Sequence, residues 1–349
     1  MARKSQRFNG ALNASINGFA MAAGDEHDPH GLLALRERVE ERMAILLAES
    51  GDQADLLSAA MRASALSAGK RMRPLLVMLV ARDLGCSSPA LVDVACAVEL
   101  VHAASLVLDD LPCMDNAQLR RGKPAVHVQY GEDVAILASV ALLSRAFGVL
   151  ASAGDIPPVT RARLVAKLAE TVGSQGLVRG QYQDLHGEDL HGGARTLDAI
   201  ATTNELKTGV LLGVAVDMAA IICQADERVA ASLRAFALAA GHAFQIRDDL
   251  LDLPGKDIAL TGAESGKDTG KDLGKATLLA SLGIEEAQRR LARHLQDAER
   301  HLNDALGAGA ATSRFMTGLF AQGRARLHFP ADGAVQVADN ARSREVLVN

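Results

Sequence analysis

ELVHAASLVLDDLPCMDNAQLRRG, from Glu99 to Gly122, decides how the rest of the chain is read. It begins as an apolar helix pattern and ends in three carboxylates, Asp109, Asp110 and Asp115, with Arg120 and Arg121 one loop further on. Acids beside an apolar stripe, followed by bases, fit a divalent metal, a phosphate and a greasy substrate together. A second acid cluster, Asp248, Asp249 and Asp252, lies far downstream in FQIRDDLLD. Two such clusters make the sequence informative.

The second cluster has the simpler geometry. Asp248 and Asp252 are four positions apart, so a helix places them on one face. Like charges there repel unless a cation sits between them, and acids near a helix C-terminus also oppose the macrodipole. Pro254 and Gly255 end this helix just beyond, so a metal relieves both objections, where a solvated acidic helix end would not. In the first cluster, Asp109 and Asp115 lie roughly 120° off a common face of a regular helix. Pro112 breaks the ladder between them, and such a break can bring Asp115 back towards Asp109. Hard oxygen ligands without His or paired Cys suit Mg2+, which bridges to substrate phosphates.

Cations stand next to these acids. Gly69–Lys70–Arg71–Met72–Arg73–Pro74 is a loop leading into a helix, with three bases in four residues. Lys207 follows a polar TTNE interruption in a long apolar run, and Lys256, Lys267, Lys271 and Lys275 follow the second cluster in a Gly-rich stretch. Arg presents a fork of donors to phosphate and Lys a mobile point charge. Any of these bases alone reads as a solvated surface charge; placement beside the acid clusters gives them meaning. His102, seven before Asp109, shares its helix face and reads either as a core residue or as a phosphate donor.

Composition sets the frame. Hydrophobic residues make up 49% of 349, aromatics 3% with no Trp, and the apolar residues recur at helical spacing. The chain is therefore expected to be all-α, one large helical bundle over 31–328 after a leader at 1–30 and before a tail at 329–349. Helices are predicted over Leu32–Ser50, Asp55–Ser67, Leu75–Leu84, Pro89–Asp110, Asp133–Ala151, Val159–Val172 and Ser174–Leu185. The series continues with Leu197–Cys223, Glu227–Leu253, Lys275–Leu282, Glu285–Leu306 and Thr312–Ala325. A net charge of −5 argues against nucleic-acid binding. Cys86, Cys96, Cys113 and Cys223 have neither metal nor disulfide spacing, so a reducing cytoplasm is expected. Arg145 and Asp217 interrupt the most apolar runs, Val134–Leu150 and Val210–Cys223, so no transmembrane segment is expected.

With those residues quoted, the chain resembles the polyprenyl synthetase family, short-chain trans-isoprenyl diphosphate synthases, over about residues 55–306. GKRMRP, DDLPCMDNAQLRRG, GQYQDL, LKTG, FQIRDDLLD and GKDTGKDLGKATL follow in the family's order. Six motifs in order are specific where one is not. Within the family the chain is most similar to bacterial geranylgeranyl diphosphate synthases. The resemblance implies a helical fold around a central cavity, of isoprenoid synthase type, and a homodimer. It implies Mg2+ held by Asp109, Asp110 and Asp115 on one wall and by Asp248, Asp249 and Asp252 on the other. Arg120, Lys207, Thr208, Gln245 and Lys267 would hold the allylic diphosphate; Lys70, Arg73, His102 and Arg121 would hold isopentenyl diphosphate. Asn116 stands where many relatives carry Asp.

The implied reaction is ionisation of the allylic diphosphate, attack by the isopentenyl double bond and proton loss. No side-chain nucleophile is needed, which fits the absence of any nucleophile–base spacing. A terpene cyclase would also ionise a diphosphate, but it steers cations with aromatic walls, scarce in a chain with 8 Phe and 2 Tyr. A non-catalytic partner subunit would be expected to have lost acids or bases. Farnesyl diphosphate is the alternative product. Ala104 and Ser105, one turn before Asp109, are small where relatives that stop at farnesyl length often carry an aromatic at the former position. That predicts geranylgeranyl diphosphate.

Overall fold

Apolar residues at helical spacing, punctuated by Pro and Gly, fold as that pattern requires. The computed structural model describes residues 29–49, 55–191, 196–251 and 283–324. The first helices are α1 (Pro29–Ala48), α2 (Leu56–Ala65), α3 (Met72–Asp83) and α4 (Leu91–Asp109). A two-residue hairpin, β1 (Leu119–Arg120) with β2 (Lys123–Pro124), leads to α5 (Val126–Tyr130), α6 (Glu132–Ser152), α7 (Pro158–Val172) and α8 (Leu177–His191). Next come α9 (Leu197–Asn204), a π turn (Glu205–Gly209) and α10 (Val210–Ile222). The described chain ends with α11 (Glu227–Leu251), α12 (Ile284–Leu306) and α13 (Ala311–Arg324).

The fold is an all-α bundle with α4 at its centre. Burial encloses α4 from Leu91 to Val107 with few breaks, and α1, α2, α3, α6 and α10 pack around it. Each fully buried Leu or Val there contributes about 1.5–3 kcal/mol from its apolar surface. Local signals set the ends. The Asp55 side chain caps α2 by accepting from the Ser58 N–H at 2.6 Å. Asp83, on the last turn of α3, caps a remote helix: its carboxylate accepts from the backbone N–H of Ala311 and Thr312 at 3.1 and 2.8 Å. That ties α13 to the helix of the basic loop.

Two sequence expectations need correction, and the reason given for a third needs amending. The helix predicted from Leu197 to Cys223 is split by the π turn, where the polar TTNE run precedes Lys207. The hairpin and α5 occupy ground where no element was expected. Finally, three helices are long and apolar enough to cross a membrane by length and composition: α4, α6 and the Glu227–Leu250 part of α11. One charge such as Arg145 does not offset a long apolar window, and Arg145 is satisfied by the Leu46 carbonyl (3.1 Å) and Glu49 (2.6 Å). The apolar window of α4 is 72% buried inside the bundle, that of α6 only 39%. The predicted segment Lys275–Leu282, residues 1–28 of the leader expected at 1–30 and the tail expected at 329–349 lie outside the described residues.

Candidate active site

Past the end of α4 the chain turns back on itself. Pro112 cannot continue the helix, and the Asp115 N–H donates to the Asp109 carbonyl at 2.9 Å, with Asn116 in the left-handed region (φ 48°). The turn keeps Asp115 within the field of Asp109. Burial pushes the Asp109 carboxyl up to about 6; Lys207 opposes the shift and Asp115 adds to it. Asp110 points elsewhere. It is buried, and Arg120 grips it with Nε at 3.1 Å from both carboxylate oxygens and Nη2 on Oδ1. Burial lowers the pKa of Arg120 and Asp110 raises it, for a net rise.

A basic pocket lies beside α3 and α4. Arg73 Nη1 is 3.2 Å from His102 Nε2. Burial, then Arg73 and Arg121, hold His102 well below its ordinary pKa, so its ring is neutral. With Nε2 accepting from Arg73, the ring proton sits on Nδ1. Among the described residues, His102 Nδ1 and Arg73 Nε are buried without a hydrogen-bond partner. Burial also lowers the pKa of Arg73, while Glu99 and Asp248 oppose the shift. Arg121, at φ 55°, reaches the same loop, donating to the Ala68 carbonyl at 2.9 Å and to Ser67 Oγ at 3.0 Å. Gly69 permits this approach, because a Cβ there would lie 2.7 Å from Arg121 Nη1. Lys70 is exposed at the head of the loop.

The π turn supplies the opposite group. It presents Lys207 and Thr208, and Lys207 Nζ donates to Asp184 Oδ2 of α8 at 2.7 Å. Burial alone would lower the pKa of Lys207, but Asp109, Asp184 and Asp115 outweigh it and the net shift is upward. A helix widened by one residue lets the backbone of α8 come close: a Cβ at Gly180 would lie 2.4 Å from Lys207 N. On α11, Gln245 Nε2 donates to Asp249 Oδ1 at 2.8 Å. Arg247 donates to Asp248 Oδ1 at 3.0 Å and to the Leu319 carbonyl of α13 at 3.4 Å. Asp252 and Lys267 lie outside the described residues, as do Lys256, Lys271 and Lys275.

One centre thus gathers Asp109, Asp115, Lys207 and Arg120, and a second, adjoining centre gathers Arg73, His102 and Arg121. Carboxylates without His or Cys among them are the donor chemistry of Mg2+. Among the described residues no three such groups converge closely enough to hold an ion. Three participants were not assigned from sequence: Asp184, Glu99 and Arg247. A signal existed for two of them. Asp184 stands in GQYQDL on the same helix face as Gln181, and Glu99 is an acid in the middle of an apolar helix, which demands a buried partner.

Carboxylates and buried bases around an apolar helical core define an enzyme that handles diphosphates of apolar molecules. The chain belongs to the polyprenyl synthetase family, whose family model matches residues 54–307. It is 48% identical over 284 residues to the geranylgeranyl diphosphate synthase of Pseudescherichia vulneris, covering 81% of this chain and 89% of that protein. It is 43% identical over 257 residues to the farnesyl diphosphate synthase of Geobacillus stearothermophilus, covering 73% and 84%. Among solved structures, an FPP/GFPP synthase from Zymomonas mobilis superposes with a TM-score of 0.68 at 34% identity, over 80% of this chain and 98% of that one. The fold is that of the isoprenoid synthases, and the protein is a trans-prenyltransferase that condenses isoprenoid diphosphates.

Proposed function

We propose that the protein condenses isopentenyl diphosphate with an allylic diphosphate to give geranylgeranyl diphosphate. The observation that carries the two-substrate reading is the pair of separate basic sets, one at Lys207 and Arg120 beside Asp109, the other at Arg73, His102 and Arg121. Asp109, Asp115 and Asp248 are the Mg2+ ligands in this reading, with Asp249 and Asp252 supporting; Asp110 serves by holding Arg120 in place. Mg2+ held by these carboxylates would supply the positive charge that offsets the leaving diphosphate. Lys207, Arg120, Thr208, Gln245 and Lys267 hold that diphosphate, and Lys70, Arg73, His102 and Arg121 hold the other. The buried donors Arg73 Nε and His102 Nδ1 suit a diphosphate oxygen. Apolar walls exclude water from the allylic cation.

Product length rests on Ala104 and on the resemblance to the Pseudescherichia enzyme. Farnesyl diphosphate is the second reading, favoured by one observation: Ala104 is fully buried, and its carbonyl accepts from Ser139 Oγ of α6 at 3.1 Å, so α6 closes on this turn. Chromatography of products from farnesyl and isopentenyl diphosphates decides between them. The wild-type chain is expected to yield twenty-carbon product, and Ala104→Tyr to stop at fifteen with turnover retained. A parent that never passes fifteen carbons, or an active Tyr variant that still makes twenty, defeats the length argument.

The protein is further proposed to act in the cytoplasm as a homodimer. α6 leaves Ile136, Leu137 and Val140 about half exposed on one face, and a second copy of this chain would cover them. Leu137→Glu with Val140→Glu is expected to halve the mass seen by light scattering; an unchanged mass places the dimer face elsewhere. Cell fractionation tests the compartment.

A further inference from the structure

Arg71 lies inside the basic loop yet turns away from the site. Its side chain is 3% exposed, and all three guanidinium nitrogens donate. Nη1 bonds Glu99 Oε1 of α4 at 2.9 Å, Nε bonds Glu40 Oε1 of α1 at 3.2 Å, and Nη2 bonds the Ser67 carbonyl at 2.8 Å. Its backbone is in the left-handed region, φ 48°, which is strained for a non-glycine residue. Arg71 is also the residue from which α3 starts: the Leu75 N–H donates to its carbonyl at 3.1 Å. A strained backbone at a buried ion pair persists only where the surroundings over-determine it, and here they do.

The same loop is held from its other side. Arg121 binds the Ala68 carbonyl and Ser67 Oγ, so residues 67 and 68 are clasped between the two arginines. Lys70 and Arg73 flank Arg71 in sequence, and Arg73 leaves the first turn of α3 to meet His102 on α4. Glu99 lies three positions before His102, on the same side of α4. The Arg71–Glu99 bond therefore fixes α3 against α4 at the turn where Arg73 and His102 meet.

We propose that Arg71 is the positioning residue of the isopentenyl diphosphate site, its buried guanidinium anchoring the loop to α1 and α4 so that Lys70, Arg73 and His102 form one preset anion cradle. The inference rests on the two-substrate reading above. Arg71 touches no substrate in it. Its fork is matched to three acceptors on three segments, so a point charge on a flexible stem does not replace it.

Steady-state kinetics with each substrate varied separately test this, alongside thermal unfolding. Arg71→Lys keeps the charge and loses the fork; it is expected to raise the KM for isopentenyl diphosphate about tenfold and that for the allylic substrate less than twofold. Arg71→Gly relieves the backbone strain and removes the anchor; it is expected to behave worse than Arg71→Lys in the same KM. Equal changes in both KM values, or a lower Tm with both unchanged, would mean a merely structural role and overturn the proposal. If both variants fail to fold, Glu40→Gln, which leaves the Glu99 bond intact, decides: a selective rise of about threefold supports the anchor, and no selective rise overturns it. Arg73→Ala separates this inference from the reading beneath it. A selective KM rise for Arg73→Ala with none for the Arg71 variants sinks only the anchor; no rise for Arg73→Ala sinks the isopentenyl site itself.

Discussion

Asp109→Asn is expected to lower turnover about 1000-fold, the loss of roughly 4 kcal/mol of transition-state stabilisation, and to make the metal-free protein more stable. Both effects have one cause. Burial raises the Asp109 carboxyl from 3.8 to about 6 by removing it from water; Asp115 and Asp110 add to the shift, and Lys207 and Arg120 only partly offset it. A carboxyl that binds its proton more tightly when folded gives stability that is present at low pH and lost as pH rises from about 4 to about 6. At neutral pH the ionised Asp109 thus costs on the order of 3 kcal/mol. An amide of the same shape removes that cost, and Tm in chelator-containing buffer is expected to rise by about 5 °C. The parent should also gain stability between pH 7 and pH 5 through this residue, and the Asn variant should lose that gain. Turnover within threefold of the parent would remove Asp109 from the site.

Gly180→Ala should be nearly as damaging, although Gly180 is not among the acids and bases that hold the diphosphates. An added Cβ would meet Lys207 N at 2.4 Å and Leu206 C at 2.6 Å, backbone atoms that cannot rotate aside. The π turn must then move, and it carries Lys207 and Thr208. A displacement of about 1 Å at a positioning group can cost about 100-fold in rate, and overpacking adds about 1–3 kcal/mol of destabilisation. Circular dichroism should still report a helical protein. Turnover within threefold of the parent would show that the contact between α8 and the π turn does not set the position of Lys207.

Much of this was legible in the sequence, for physical reasons. Pro and Gly mark chain ends locally, so the starts of α7 and α12 lie within a residue of expectation. Pro112 announced the break that returns Asp115 to Asp109. The rest depended on partners distant in sequence. Nothing near Arg71 indicates that Glu40 and Glu99 will meet it, since tertiary packing alone brings α1 and α4 together. Asp110 and Asp109 look equivalent on paper, and only the hairpin, by delivering Arg120, separates their roles. The π turn was hidden because its composition suits an ordinary helix, and its close contact is with Gly180 of α8, distant in sequence.

That turn also constrains how the gene can vary. A π turn holds one residue more than the α-helical turn it replaces, so dropping a single codon within 205–209 would let one regular helix run from Leu197 to Ile222. Such a helix would be locally easier to form. The flanking helices would keep their faces, because the wide turn absorbs its extra residue, but the widened backbone that meets Gly180 and sets Lys207 against Asp184 would be gone. Apart from Lys207 and Thr208, point substitutions can drift here, whereas changes of length cannot. The extra residue that local preference would discard is the one that aims the lysine.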